Sequence, residues 1–553
     1  MQIIVPMSGF GERFRKAGYK VPKPLIEIEG KPIIAHVVDM FPGEKDFIFI
    51  CNNEHLDNPS YRMREILQQY CPSGKIIGIE PHKLGPVYAV LQVKDVVDLS
   101  LPTVVNYCDF TCYWDWQDFK SFVVTTQCDG AIPAYKGFHP HTLGTTNYAY
   151  MQENEGWLRA IQEKQPFTNN RMEEFASSGT YYFCSGELML DTFANVIERN
   201  LNISGEYYVS LAYIPLLESN KKIAVYELQH FMQWGTPEDV IEYNAWSLAF
   251  HQLAASTVNN TTPLGAVVIP MAGLGKRFSD EGYALPKPLI EVSGRPMVIQ
   301  ACDHLPPAEE YAFVLREDMP GYLDVSQTLQ TTFTDCRLVN VLQVTNGQAT
   351  SAKLGLQKLS QRYAGPITFG ACDFGAIFDP QKFRQLLDDQ SVDLIVWAVR
   401  GHANAIRKPK MFGWIDADLE GNIHRISVKQ PISDNLMSDA IVLGTFTFRT
   451  SEHFYRCYDS LVQREGMING EYYLDSCVND AINMGMNCKI FEVDSFMSWG
   501  TPNDLKTFEY WQSCFHKWKS HNYRLELDPH IPEDKVPILE NKYRHLETAR
   551  PRS

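Results

Sequence analysis

The chain has 553 residues, 44% of them apolar and 21% charged, which is ample for packed cores and too long for one ordinary domain. Its 50 Lys plus Arg against 66 Asp plus Glu leave a net charge of −16, which argues against nucleic acid or a membrane surface as partner and obliges any anionic ligand to find local cations. MQIIVPM does not read as a secretory leader, no eighteen apolar residues run together, and the 13 cysteines are scattered without a CxxC pair, so a reduced, cytoplasmic protein is expected.

From the N-terminus, QIIVPM reads as a β-branched strand running into SGFGERF, a glycine loop that enters a helix. DFIFICN, KIIGIE and TVVNYCDF read as further strands, and PIIAHVVDMF, YRMREILQQYC and VYAVLQVKDVV as the helices between them. This alternation predicts an α/β fold: an αβα sandwich around a mixed, mostly parallel sheet. Beyond Asp109 the runs TNYAYMQ and WLRAIQEK are tighter strand pairs, followed by two helices and KIAVYELQ, so a second, partly antiparallel lobe is expected.

At Pro270 the chain begins again. Residues 6–32 and 270–296 share 16 of 27 aligned positions without a gap, and a shift of 264 or 265 also pairs VVNYCDF with TFGACDF, SGEYY with NGEYY, and FMQWGTPED with FMSWGTPND. Duplication of a whole domain is the reading: domain 1 over 1–253, a polar linker over 254–265, domain 2 over 266–515, and a charged, proline-broken tail over 516–553 that packs as an arm or stays mobile.

The repeated loop has the chemistry of a polyphosphate cradle. Gly9 and Gly11 let bare backbone N–H groups approach phosphate oxygens, Arg13 offers a planar fork, and Lys23, stiffened by flanking prolines, a point charge. Gly273, Gly275, Arg277 and Lys287 are the counterparts. A dinucleotide fingerprint fails because its third glycine is Phe14, and a P-loop fails because GxxxxGK[ST] does not occur. In an open α/β sheet the ligand lies beyond the carboxyl ends of the strands, where SGFGERF, CDF and WGTP are expected to converge.

In this order, GxGxRF, PKPLIEI, a strand-ending Asp, Glu-Lys, GEYY and WGTPED resemble the sugar-phosphate nucleotidyltransferases, or nucleoside-diphosphate-sugar pyrophosphorylases, in tandem and over about nine tenths of the chain. The wording of FMQWGTPED is similar to members from bacterial capsule and surface-glycan pathways. The resemblance implies a nucleotide-diphospho-sugar transferase-like fold (GT-A/Rossmann-like) and Mg²⁺. It also implies attack of a phosphate monoester oxygen on the α-phosphorus of an NTP, with loss of pyrophosphate. By the same resemblance Gly9, Gly11 and Arg13 hold the triphosphate, Lys23 the phosphates at the reacting centre, and Asp109, with Asp373 in the second repeat, the metal. Glu163 takes acceptor hydroxyls and Lys164 the acceptor phosphate, with Lys429 the counterpart of Lys164. Gly179 and Glu206 line the acceptor side, and Gly85 and Gly347 stand where the base is read.

The pattern breaks in places. A second metal-binding Asp is replaced by Gln233 and Ser498, while Asp239 and Asp504 read as acids of a helix first turn. Glu163 is matched by Val428, so the second repeat either takes a different acceptor or is a regulatory nucleotide module. His139 and His141 read as contacts to acceptor oxygens rather than as a metal pair. Competing functions are a cytidylyltransferase for a polyol, choline or amino-acid-derived phosphate, a non-catalytic scaffold, and a glycosyltransferase, whose DxD candidate, Asp416 to Asp418, reads as a hairpin turn. The base, the acceptor and any homo-oligomer stay open.

Overall fold

The computed structural model describes residues 1–256, 262–359 and 365–544. Its contacts divide the described chain into two units, 1–244 and 245–544. The division falls inside the helix Pro237–Ala255, because Trp246 packs on Phe508 and Phe250 on Phe508, Phe515 and Tyr523, all within the second unit. Of the expected linker, residues 257–261 lie outside the described residues, as do residues 545–553 of the tail. The described tail is a packed arm. Tyr523 and Leu525 are fully buried, and Gln512 of the helix Pro502–Lys517 donates to the Tyr523 hydroxyl at 2.9 Å and accepts from Tyr543 at 2.7 Å.

The first unit is built on one ten-stranded mixed sheet. Gln2–Met7 lies parallel between Asp46–Asn52 and Thr103–Asn106, with Lys75–Ile79 outside, and its Ile3, Ile4 and Val5 are fully buried, as a strand covered on both faces requires. The expected second lobe is not separate. Thr180–Phe183 pairs antiparallel with both Thr103–Asn106 and Gly130–Tyr135, which continues the sheet into Ile223–Glu227 and the hairpin Ala149–Asn154 and Trp157–Glu163. The one strand therefore splices a parallel block to an antiparallel one. A small ribbon of Phe110–Tyr113 against His230–Gln233 stands apart, in the register Phe110 to Gln233.

The second unit holds a nine-stranded mixed sheet of the same plan. Ala266–Pro270 lies parallel between Glu310–Arg316 and Ile367–Phe369, and Ala440–Phe448 is the antiparallel splice to Leu394–Val399. Its ribbon pairs Phe374–Ile377 with Ser495–Ser498, in the register Phe374 to Ser498.

Candidate active site

In the first unit the strand Gln2–Met7 ends at the glycine loop, and Gly11 turns the chain into the helix Glu12–Lys16 with φ 61° and ψ 35°. That left-handed conformation favours glycine. A Cβ on Gly9 would meet nothing within 4 Å, so its backbone faces open space. This space is a cavity of about 550 Å³ bordered by Gly9, Gly11, Arg13, Lys23, Gly85, Asp109, Glu206 and Tyr208. The ribbon register brings CDF to WGTP, since Trp234 N–H donates to the Asp109 carbonyl at 2.8 Å. Lys23 Nζ donates to Asp109 Oδ2 at 2.8 Å, and each side chain is about a quarter exposed. Burial works against the Lys23 charge, but the carboxylate of Asp109, with Cys108 beside it, holds the ammonium pKa above its ordinary value.

The ester side is organised by the second tyrosine of GEYY. Lys164, with a left-handed φ of 60°, donates to the Tyr208 hydroxyl and lies over its ring at 4.3 Å from the centroid, while the hydroxyl donates to Glu206 at 3.1 Å. Glu163 ends the adjacent strand, and its Oε2 accepts from Ser210 at 2.6 Å; burial raises its pKa against the pull of Ser210 and Lys164.

The second unit reproduces these contacts. Gly275 has φ 62°, Lys287 pairs with Asp373, and Trp499 N–H donates to the Asp373 carbonyl at 2.8 Å. Lys429, φ 59°, donates to the Tyr473 hydroxyl at 2.9 Å. The cavity here is about 630 Å³ and touches Gly273, Gly275, Lys287, Asp373, Lys429, Tyr473 and Gly444.

Residues 3–228 match the nucleotidyl transferase family.

The match spans the first repeat, less than half of the chain. Among curated relatives, the chain is 23% identical over 251 residues to the mannose-1-phosphate guanylyltransferase catalytic subunit beta of Dictyostelium discoideum, covering 44% of this chain and 63% of that protein. It is 24% identical to the bifunctional protein GlmU of Methanococcus vannielii, covering 49% and 61%. The chain thus spans about three fifths of these relatives. Among solved structures, a nucleoside-diphosphate-sugar pyrophosphorylase from Vibrio cholerae aligns at 20% identity and a TM-score of 0.36, over 44% of this chain and 99% of that one.

Several expected residues stand elsewhere than at the cavity of this nucleotidyl transferase-like unit. Glu163 and Lys164 lie behind Tyr208. Gly179, φ 96°, turns between two strands against Tyr107 and Phe110 rather than lining the acceptor side, whereas its counterpart Gly444 does border the second cavity. Arg277 is exposed and near enough to Lys287 to oppose its charge, but it does not border the cavity. Gly85 and Gly347 are glycine because the turn rests on backbone. A Cβ would lie 2.8 Å from Tyr207 N at Gly85 and 2.6 Å from Tyr472 N at Gly347. His139 and His141 join the rings of Tyr135, Tyr148 and Phe231 instead of meeting an acceptor, and burial lowers the His139 pKa to about 4. Tyr208 and Tyr473 were not singled out from sequence; the repeat of GEYY was the available signal.

Asp239 and Asp504 are capping acids, as expected. Asp239 accepts from Thr236 N–H at 3.0 Å, and Thr501 with Asp504 forms a capping box. Asp239 also accepts from Gln233 Nε2, which leaves Gln233 Oε1 buried without a hydrogen-bond partner among the described residues. A Cβ on Gly235 would lie 3.3 Å from Asp109 Oδ2 and 3.8 Å from Gln233 Cγ, so both side chains border one gap. Carboxylate and amide oxygens are hard donors of the kind Mg²⁺ takes, here with one carboxylate fewer than in a two-carboxylate site, while Lys23 holds Asp109 Oδ2 and the Gln233 atoms nearest the gap are Cγ and Nε2. In the second unit Asp373 Oδ2 and Ser498 Oγ border the same gap at Gly500, at 3.3 and 3.6 Å.

Proposed function

We propose that the first repeat transfers a nucleoside monophosphate from an NTP to a sugar 1-phosphate or similar phosphate monoester, releasing pyrophosphate, in the cytoplasmic synthesis of surface-polysaccharide precursors. The observation that carries this is the Lys23–Asp109 pair beneath the open glycine loop, in a cavity whose other side presents Tyr208 and Glu206. The match over residues 3–228 and the guanylyltransferase relatives support the reaction class, and the wording of FMQWGTPED supports the surface-glycan role.

A non-bridging phosphate oxygen of the monoester forms the new bond to the α-phosphorus, the bond from the α-phosphorus to the oxygen shared with the β-phosphate breaks, and pyrophosphate departs with the electron pair. Loop N–H groups and Arg13 hold the triphosphate, and Lys23 sits where negative charge gathers. Lys164 holds the ester phosphate with Tyr208, and Glu163, fixed through one oxygen by Ser210, keeps the other for an acceptor hydroxyl. Asp109, with Gln233 beside it, would hold Mg²⁺, which when bound would supply charge neutralisation at the phosphates.

The glycosyltransferase reading loses its motif, since Asp418 sits in the turn of a hairpin and bonds to Asn422. The test is pyrophosphate release from four NTPs against sugar, polyol, choline and amino-acid-derived phosphates. Release with a sugar 1-phosphate is expected. Release only with CTP and a non-sugar phosphate replaces the acceptor, and nucleotide binding without release from any pair overturns the reading in favour of a scaffold.

A further inference from the structure

Around its lysine the second unit departs from the first at three linked positions. In the first unit Glu163 lies opposite Ala149 in the strand register and is held by Ser210, two residues after Tyr208. In the second unit Val428 lies opposite Gly413, and Asp475 follows Tyr473 by two. The set Glu, Ala, Ser has become Val, Gly, Asp. Losing Glu163 alone would leave the lysine beside an apolar wall, but Asp475 returns a carboxylate from another element, the first turn of the helix Leu474–Asn483.

The glycine shows that these changes belong together. A Cβ on Gly413 would lie 2.4 Å from Asp475 Oδ2 and 3.3 Å from its Cγ, so the aspartate occupies the room that the methyl of Ala149 takes in the first unit. Gly413 has no left-handed backbone that would itself call for glycine. Asp475 borders the second cavity together with Lys429, Tyr473 and Val428. Among the described residues it makes no ion pair and no hydrogen bond to another side chain, so its oxygens are available to a ligand. Burial raises its pKa to about 6, which leaves it mainly ionised at neutral pH.

We propose that the second unit is a binding site for a hydroxylated phosphate monoester, in which Asp475 accepts the ligand hydroxyls and Lys429, seated on Tyr473, holds the phosphate. The carboxylate is thus carried by the helix Leu474–Asn483 instead of by the strand that leads into the lysine. This rests on reading the paired lysines as phosphate holders, and not on turnover in the first unit.

The test uses the full chain carrying Lys164→Ala, which silences the first ester site, and calorimetric titration with mannose 1-phosphate, glucose 1-phosphate and glycerol 3-phosphate. Inorganic phosphate and choline phosphate, which lack ligand hydroxyls, are the references. At least one hydroxylated ester is expected to bind about tenfold or more tighter than both references, Asp475→Ser to remove that margin, and Val428→Glu added to it to restore selectivity for a hydroxylated ester. The proposal is overturned if none of the three esters exceeds the references, if Asp475→Ser keeps the margin, or if the double variant, melting like its parent, recovers none. Independently of ligand, Gly413→Ala should lower the melting temperature and Asp475→Ser in the same chain should recover it; additive losses would refute the shared space. Pyrophosphate release by the unsubstituted chain is a separate assay, so either reading can fail without the other.

Discussion

The two units are alike around the glycine loop and unlike around the paired lysines Lys164 and Lys429. Gly11 and Gly275 turn their loops at φ 61° and 62°, each loop stands over a Lys–Asp pair, and each base-side glycine rests on a GEYY backbone. Around the lysines both units keep the tyrosine, yet the nearby carboxylate moves from a strand end, at Glu163, to a helix first turn, at Asp475. Charge placed on a triphosphate must sit within tight geometric limits, because positioning and neutralisation are most of the catalysis. A hydroxyl needs only an acceptor oxygen within reach, and either element can offer one.

The sharpest way to break the likeness is to remove one lysine at a time. Lys23→Ala is expected to cut pyrophosphate release by the first unit about a thousandfold, while Lys287→Ala leaves that reaction in place; the reverse result would move the activity to the second unit. Next in size, Gly85→Ala and Gly347→Ala should each cost about 2–3 kcal/mol in chemical denaturation, because both force an L side chain to positive φ against backbone. Unequal losses would show that the two turns are not equivalent. Tyr208→Phe removes the hydroxyl between Lys164 and Glu206 and should raise KM for the ester about tenfold with little change in kcat. An unchanged KM would detach Lys164 from the ester.

The smallest effect is a pH dependence carried by Asp475, whose first-unit counterpart is the serine Ser210. Burial lifts the Asp475 pKa from 3.8 to about 6 in the folded state, with Lys429 the facing cation. Between those values the folded chain holds a proton that the unfolded chain has released, so stability falls as pH rises through the window. The unsubstituted chain should therefore lose ground to Asp475→Asn in melting temperature from about pH 4 to about 6, with no further change above. A flat difference would place Asp475 in water.

The glycine turn and the Lys–Asp pair were legible in the sequence because their demands are local: a left-handed glycine, a cation stiffened by prolines, and an acid at a strand end. The meeting of CDF with WGTP was legible from fold class, and the ribbon register Phe110 to Gln233 delivers it. The spliced sheet was not legible, since Thr180–Phe183 looks locally like any short strand and acquires its role from two partners distant in sequence. At Gly85 and Gly347 a further constraint was not legible, because no local pattern announces a backbone 2.8 or 2.6 Å from where a Cβ would stand. Val428 in place of Glu163 read as a different acceptor or a regulatory module; the changes linked to it, at Gly413 and Asp475, lie on two other elements, and only packing joins them.

The turn at Gly85 has a mechanical meaning. Tyr207 donates its N–H to Leu84 at 2.9 Å and accepts from Val87 at 3.1 Å, and Tyr472 does the same with Asn346 and Ala349 at 2.8 and 3.0 Å. Each joint is a two-pin hinge plate that bolts the loop ahead of the helix Pro86–Leu91 or Gln348–Leu356 to the segment carrying the tyrosine beneath the lysine. Any swing of that loop must drag the tyrosine along or shear both pins, so the two segments are geared to one another.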